Sequence, residues 1–116
     1  MFTLSENHKY YYYIGTTDMR KSFNSLSGLV VDHMGSIPTA NKVYLFVNRR
    51  RDKMKILQWQ PNGFLLYYKR LEQGTFKFPH YEIERGLIEL SYTEMVMLID
   101  GISIINLNRT KRFATK

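Results

Sequence analysis

The sequence predicts an α+β fold in which an antiparallel β-meander of about four to five strands carries two helices packed on it. Four runs in the middle of the chain are rich in aromatic and β-branched residues, and only three to five residues separate one run from the next. Connections this short join antiparallel strands, because a parallel crossover needs about a dozen residues. The 116 residues bury only one modest core, which predicts a single domain over residues 1–105.

The first two elements are a strand and a helix. Residues 10–14 are four tyrosines and an isoleucine ended by Gly15, which is typical of a short strand. Thr17 or Asp18 is then predicted to cap a helix that Gly35 ends. The helix is predicted from apolar residues at three- and four-residue spacing, namely Met19, Phe23, Leu26, Val30 and Met34.

The central strands are predicted over 43–48, 54–60, 64–71 and 75–78, with turns at 49–53, 61–63 and 72–74. A second helix is predicted from the capping box of Ser91 and Glu94, with Gly101 near its end. Residues 106–116 are polar and basic, which predicts a flexible tail.

Large apolar side chains occupy both faces of the predicted strands. Leu57 and Trp59 share one face of their strand, and Leu66 and Tyr68 share a face of the next. Two helices can cover one face. The other face is then left to a second layer, to a partner, or to bases that stack on aromatic rings between lysines and arginines.

The net charge of +7 is concentrated in two segments of the chain. Residues 41–80 carry nine basic and two acidic side chains, residues 81–100 sum to −4, and residues 101–116 sum to +4. This distribution favours one surface that attracts a polyanion. The alternative is a solvated basic surface that only aids solubility.

The sequence holds few candidates for catalysis. It has no cysteine, no nucleophile elbow, no zinc-binding His-Glu-x-x-His and no phosphate-binding loop. Its three histidines lie in separate segments, without the spacing of metal ligands. The glutamates of residues 82–89 are typical of a solvated face. We therefore expect a protein without enzyme activity, metal or other cofactor.

The absence of cysteine also favours a reducing compartment. No basic segment followed by an apolar one opens the sequence, and the longest wholly apolar run is residues 95–99. These features predict a soluble cytoplasmic protein that makes no contact with a membrane.

The candidate binding residues centre on the basic turn. We predict nucleic-acid contacts from this turn and the strands beside it, through Arg49, Arg50, Arg51, Lys53, Lys55, Lys69 and Arg70. Additional contacts are predicted from Arg20, Lys21, Arg109, Lys111 and Arg112. The alternative is a charged loop that only prevents strand edges from aggregating.

Separated blocks of residues carry a family resemblance. They are Thr17-Asp18-Met19-Arg20-Lys21-Ser22-Phe23, the run from Val43 to Leu57 that contains the basic turn, and Tyr68-Lys69-Arg70-Leu71-Glu72-Gln73-Gly74-Thr75-Phe76. In this order they resemble TnpB of bacterial insertion sequences of family sixty-six, over about residues 10 to 105. That small accessory protein is encoded beside the transposase and is unrelated to the RNA-guided nuclease of the same name.

The resemblance implies a role in transposition beside a larger transposase that supplies the catalytic residues. From it and from the basic turn we predict a non-catalytic accessory protein that binds DNA, at the ends of the element. The alternative is a protein-interaction subunit that binds the transposase without contacting DNA. The oligomeric state stays open.

Overall fold

The computed structural model describes residues 4–34, 41–82 and 86–101, and these form a five-stranded sheet with two helices. In chain order the elements are β1 (Lys9–Ile14), α1 (Phe23–Met34), β2 (Lys42–Val47), β3 (Lys53–Gln60), β4 (Gly63–Arg70), β5 (Gly86–Leu90) and α2 (Tyr92–Ile99). The strand order is β4-β3-β2-β1-β5, which leaves β4 and β5 at the edges. The predicted α+β class is confirmed.

The sheet is mixed, so the prediction of a purely antiparallel meander is wrong in this respect. β2, β3 and β4 pair antiparallel as expected, but β1 pairs parallel with β2. The connection between β1 and β2 contains α1 and is long enough for a crossover. β5, which was not predicted as a strand, pairs antiparallel with the other side of β1.

Residues 75–78 do not form the predicted strand. β4 keeps a free edge in the described sheet, but the chain after it turns back to the β2–β3 hairpin, where the Leu71 N–H donates to the carbonyl of Asp52, and residues 75–78 pack side chains on the core. Phe76 is buried, and its backbone N–H donates to the carbonyl of Arg51 at 2.7 Å. The Phe78 ring stacks on Tyr12 with 4.3 Å between centroids.

The first helix begins later than predicted, at Phe23 rather than near Thr17 or Asp18. The carboxylate of Asp18 accepts a hydrogen bond from the backbone N–H of Arg20 at 2.9 Å, which forms a local turn instead of a helical one. The second helix begins as predicted. Ser91 and Glu94 form a reciprocal capping box, and Gly101 follows the helix with a φ of +81°.

The two helices pack on opposite faces of the sheet, whereas the sequence allowed both to share one face. We call the two sides the α1 face and the α2 face. The buried cluster on the α2 face includes Tyr10, Tyr12, Leu45, Ile56, Ile88, Met95 and Leu98. The cluster on the α1 face includes Tyr11, Tyr13, Leu26, Val30, Tyr44, Phe46, Leu57 and Leu87. The prediction of large apolar groups on both faces is confirmed.

The predicted basic tail at 106–116 lies outside the described residues, and so do the candidate contacts Arg109, Lys111 and Arg112. Within the described part of the chain, neither helix is long and apolar enough to cross a membrane.

Candidate nucleic-acid interface

The basic turn is the tip of the β2–β3 hairpin, and two polar side chains hold its shape. The amide of Asn48 donates to the carboxylate of Asp52 at 2.8 Å, and its side-chain oxygen accepts from the backbone N–H groups of Asp52 and Lys53. The hydrogen bond from Asn48 lowers the pKa of the Asp52 carboxyl. The tip is therefore ordered by side-chain hydrogen bonds that the sequence analysis did not predict.

The backbone of the tip separates its three arginines. Arg51 donates its N–H to the carbonyl of Asn48 and adopts a left-handed φ of +62°, which is rare for a residue with a side chain. Its guanidinium then lies 5.9 Å from the ring of Phe78, on the α2 face of the sheet, where Phe78 stacks on Tyr12. Arg49 and Arg50 line a groove on the other side. The hairpin thus presents cations on both sides of the sheet.

We call the groove that Arg49 and Arg50 line the hairpin groove. It is an open groove of about 530 Å³ between the loop after β1 and the hairpin tip. Its lining comprises residues 16–20, Asn48, Arg49, Arg50, Lys53 and Tyr68. It lies at the carboxyl ends of the two parallel strands, β1 and β2. Four cations and one carboxylate line it, which makes it attractive to anions.

Arg49 and Arg50 are exposed and form no ion pair within the part of the chain that the structure describes. Lys53 is half-buried, and its ammonium lies 3.7 Å from the Asp52 carboxylate. Arg70 lies directly opposite Lys53 in the β3–β4 register and forms an exposed ion pair with Glu72. With Arg20, five of the predicted contact residues are therefore grouped at or beside the groove.

Arg20 and Asp18 form a close ion pair on the opposite wall of the groove. The guanidinium contacts both carboxylate oxygens, with 2.7 Å between Nη2 and Oδ2. These hydrogen bonds lower the pKa of the Asp18 carboxyl to about 2 and raise the pKa of the Arg20 guanidinium. The Arg20 side chain is 90% exposed, so it is open to solvent and to a ligand.

Thr17 is a groove residue that the sequence analysis considered only as a helix cap. It is 3% exposed, and its backbone N–H donates to the carbonyl of Val47 at 2.9 Å. Its hydroxyl oxygen is buried and has no hydrogen-bond partner among the described residues. A buried hydroxyl without a partner is costly. Thr17 therefore lies at the wall of a cationic groove with its hydroxyl buried and unpartnered within the described chain.

Lys55 and Lys69, which were predicted as nucleic-acid contacts, are engaged by the protein itself. The ammonium of Lys55 is buried, donates to the carbonyl of Lys21 at 2.7 Å and lies 5.2 Å from the ring of Tyr68. Lys69 points to the α2 face, where its ammonium donates to the carbonyl of Ile99 at 2.6 Å. Both contacts tie a strand to the beginning or end of a helix.

A second cavity, of about 440 Å³, lies beneath Arg51 on the α2 face. Its lining includes Tyr12, Phe78, His80 and Tyr81. Burial raises the pKa of Tyr12 to about 12 and also raises the pKa of Tyr81, so both phenols stay neutral at physiological pH. Among the described residues that line this cavity, Arg51 is the single arginine or lysine, whereas the hairpin groove has four such side chains.

Among the residues that the structure describes, no three His, Asp or Glu side chains lie close enough to hold a metal ion. His8 instead lies within hydrogen-bond distance of the Gln58 amide, 3.1 Å from its nitrogen. The glutamates of residues 82–89 are in part outside the described chain, and Glu89 is exposed on β5.

The fold and its groove define a small α+β protein with a cationic surface at one end of a mixed sheet. The chain belongs to the family described as IS66 Orf2 like protein, whose model matches residues 8–109. Membership associates the protein with insertion sequences and their transposition, which confirms the family inferred from the sequence blocks.

Two relatives come from Sinorhizobium fredii (strain NBRC 101917 / NGR234). The uncharacterized protein y4jC is 28% identical over 92 residues, which cover 79% of this chain and 77% of the relative. The uncharacterized protein y4hO is 29% identical over 102 residues, which cover 88% of this chain and 87% of the relative. No solved structure matches the chain.

Proposed function

We propose that this protein is a non-catalytic accessory factor in the transposition of an insertion sequence, and that it binds nucleic acid through the hairpin groove. The observation that carries the proposal is the grouping of Arg20, Arg49, Arg50 and Lys53 around one open groove. Family membership supports the link to transposition.

The geometry supports a polyanionic ligand in particular. Arg49 and Arg50 are exposed at the hairpin tip, and the guanidinium group suits phosphate because its planar donors can bind two oxygens at once. Each phosphate neutralised also releases condensed counterions, so binding is expected to weaken steeply as salt rises. DNA at the ends of the element is the ligand that we assign to this groove, in a cytoplasmic complex with the transposase.

A second candidate function is a protein-interaction subunit that binds the transposase without contacting DNA. One observation favours it. A largely apolar hollow of about 250 Å³ lies beside α2, lined by Leu4, Tyr92, Met95, Val96, Ile99 and Asp100. An apolar interface of this kind persists at high salt, whereas phosphate binding fades. Co-purification with the transposase in high salt therefore distinguishes the two functions.

The test of the groove is a fluorescence-anisotropy titration of the R49A/R50A variant against a duplex that contains the element's terminal inverted repeat. We expect weaker binding and a slope of log affinity against log salt that falls by about 2, since about 0.9 counterions are released per phosphate contact on duplex DNA. The fold should persist, because exposed hairpin charges contribute little to stability.

The matched control is the double variant K9A/K42A, which also removes two cations. Lys9 and Lys42 are register partners at the opposite end of β1 and β2, far from the hairpin tip. If the two variants weaken binding equally, the protein is a general polyanion binder without a site at the groove. If the wild-type protein binds no duplex and no single strand at low salt, the proposal is wrong and the interaction subunit replaces it.

A further inference from the structure

Three exposed aromatic rings lie on the α1 face, next to the hairpin groove. Phe23 is 39% exposed, Phe64 40% and Tyr68 56%. We call these three residues the aromatic platform. Large exposed apolar groups that lie together commonly mark a binding surface. The phosphate contacts proposed above do not explain the aromatic platform, because none of its rings carries charge.

Neighbouring groups hold the rings of the platform in place. Phe23 stacks on Phe64 with 5.9 Å between centroids, and Trp59 packs edge-on against Phe64 at 4.8 Å. The buried ammonium of Lys55 lies 5.2 Å from the Tyr68 ring. These contacts fix the rings before any ligand binds, and such preorganisation lowers the entropy cost of binding.

The spacing of the rings suits an extended strand of nucleic acid. Phe64 and Tyr68 point to the same side of β4 and lie four residues apart, which places them about 13 Å from each other at about 3.3 Å per residue. Bases of a duplex follow one another every ~3.4 Å and are stacked on their neighbours. Only unstacked bases on an extended backbone can reach both rings.

The platform is continuous with the groove, because Tyr68 belongs to both. A ligand that occupies them together must carry anions at the groove and planar rings a few ångströms further on. β4 is an edge strand of the sheet, so a strand of nucleic acid can also approach from the side.

We propose that the protein binds single-stranded nucleic acid, with phosphates in the hairpin groove and unpaired bases stacked on Tyr68 and on the Phe23–Phe64 pair. This inference rests on the proposed function, since it uses the same groove, and it adds the strandedness of the ligand. Aromatic rings interleaved with cations form stacking platforms that bind single strands with little dependence on sequence. The cations around Tyr68 favour this ligand over an apolar segment of the transposase.

The test is the affinity of the Y68A variant for three labelled probes of equal length. These are a single strand, the matching duplex, and a single strand whose central nucleotides lack bases. We expect the variant to bind the single strand about tenfold more weakly, with the duplex changed by less than twofold, because it loses one base–aromatic stack. The wild-type protein should prefer the strand with bases over the abasic strand, and Y68A should lose this preference.

Two variants control for the fold and for the ring. Y68F keeps the aromatic face and should bind the single strand as the wild-type protein does. V31A removes another exposed apolar side chain, on α1, and should change neither affinity. An unchanged urea midpoint for Y68A checks that its fold is intact.

The outcomes separate this inference from the proposed function. If R49A/R50A weakens binding but Y68A affects the single strand and the duplex alike, the groove stands and the stacking platform is wrong. If Y68A leaves every probe unchanged but abolishes co-purification with the transposase, the platform is a protein-docking surface and the inference is overturned. If the wild-type protein binds no probe, both proposals fail.

Discussion

The two faces of the sheet differ in how completely they are covered. On the α2 face the buried cluster continues from β5 to the partly buried Tyr67 on β4 and Leu71 directly after it. On the α1 face the buried cluster reaches only to Leu57 on β3, with Trp59 and Leu66 partly buried beside it. Beyond it, Phe64 and Tyr68 remain exposed on β4. Both faces therefore stabilise the fold through a buried cluster, but the α1 face also leaves aromatic surface exposed on β4.

The largest effect predicted by this comparison is on stability. Leu45 is fully buried on the α2 face, so Leu45→Ala should lower the free energy of unfolding by about 2–5 kcal/mol through lost burial and the cavity left behind. Phe64 is 40% exposed, so Phe64→Ala should cost less, about 1–2 kcal/mol, for its ring contacts with Phe23 and Trp59. Equilibrium unfolding in urea measures both.

The same two variants sharpen the comparison when their affinity for a single strand is also measured. L45A should keep the affinity of the wild-type protein at temperatures where it remains folded, whereas F64A should weaken binding. A cost for F64A as large as that for L45A would show that the platform is part of the core. The comparison between a fully covered face and a partly open binding face would then be wrong.

An intermediate effect is predicted for Lys69, the predicted nucleic-acid contact that lies on the α2 face. Its ammonium donates to the Ile99 carbonyl near the end of α2, where a cation also interacts favourably with the helix dipole. Lys69→Ala should therefore lower the free energy of unfolding by about 1 kcal/mol. Its effect on nucleic-acid affinity should be less than twofold, in contrast to R49A/R50A.

Urea unfolding and anisotropy on the same preparations check this prediction. Lys77→Ala is the control, since Lys77 is an exposed lysine whose ammonium donates to the hydroxyl of Thr75 at 3.3 Å. If Lys69→Ala reduces affinity as strongly as R49A/R50A while stability is unchanged, Lys69 contacts the ligand and the interface extends to both faces.

Local patterns predicted much of the fold, because their physical causes are local. The capping box of Ser91 and Glu94 and the strands of the β2–β4 meander depend on residues close together in sequence. The parallel pairing of β1 with β2 and the position of β5 depend on contacts between distant segments. Short loops constrain only the strands that they join, so no loop length could reveal these pairings.

The candidate site was predictable in composition but not in arrangement. The cations of the basic turn were evident from the sequence, whereas the left-handed backbone at Arg51 separates them onto two sides. Lys55 and Lys69 have the same charge as Arg49, but tertiary contacts with backbone carbonyls engage both lysines. The exposed fraction of the side chain and a hydrogen-bond partner within the protein distinguish a structural cation from one that is free to bind a phosphate. Neither property can be read from the sequence.

The smallest effect on stability, and the most specific, is predicted for Thr17. Thr17→Val keeps the branched shape of the side chain and removes the hydroxyl that has no partner within the described chain. Loss of this buried polar group should leave the free energy of unfolding unchanged or raise it by up to about 1 kcal/mol. If the hydroxyl donates to a bound phosphate, affinity for nucleic acid should fall about tenfold, as expected for one hydrogen bond to a charged group.

If Thr17 had only a structural role, removing its hydroxyl could not raise the free energy of unfolding and at the same time lower the affinity for nucleic acid. Thr93→Val is the control, because Thr93 is an exposed threonine on α2 and should change neither quantity. Urea unfolding and anisotropy with a single-stranded probe give the two readouts. A clear loss of stability in Thr17→Val would show that the hydroxyl already has a partner in the folded chain. The groove would then bind its ligand through the cations alone, and the α1 face would recognise nucleic acid by charge and stacking without a hydroxyl donor.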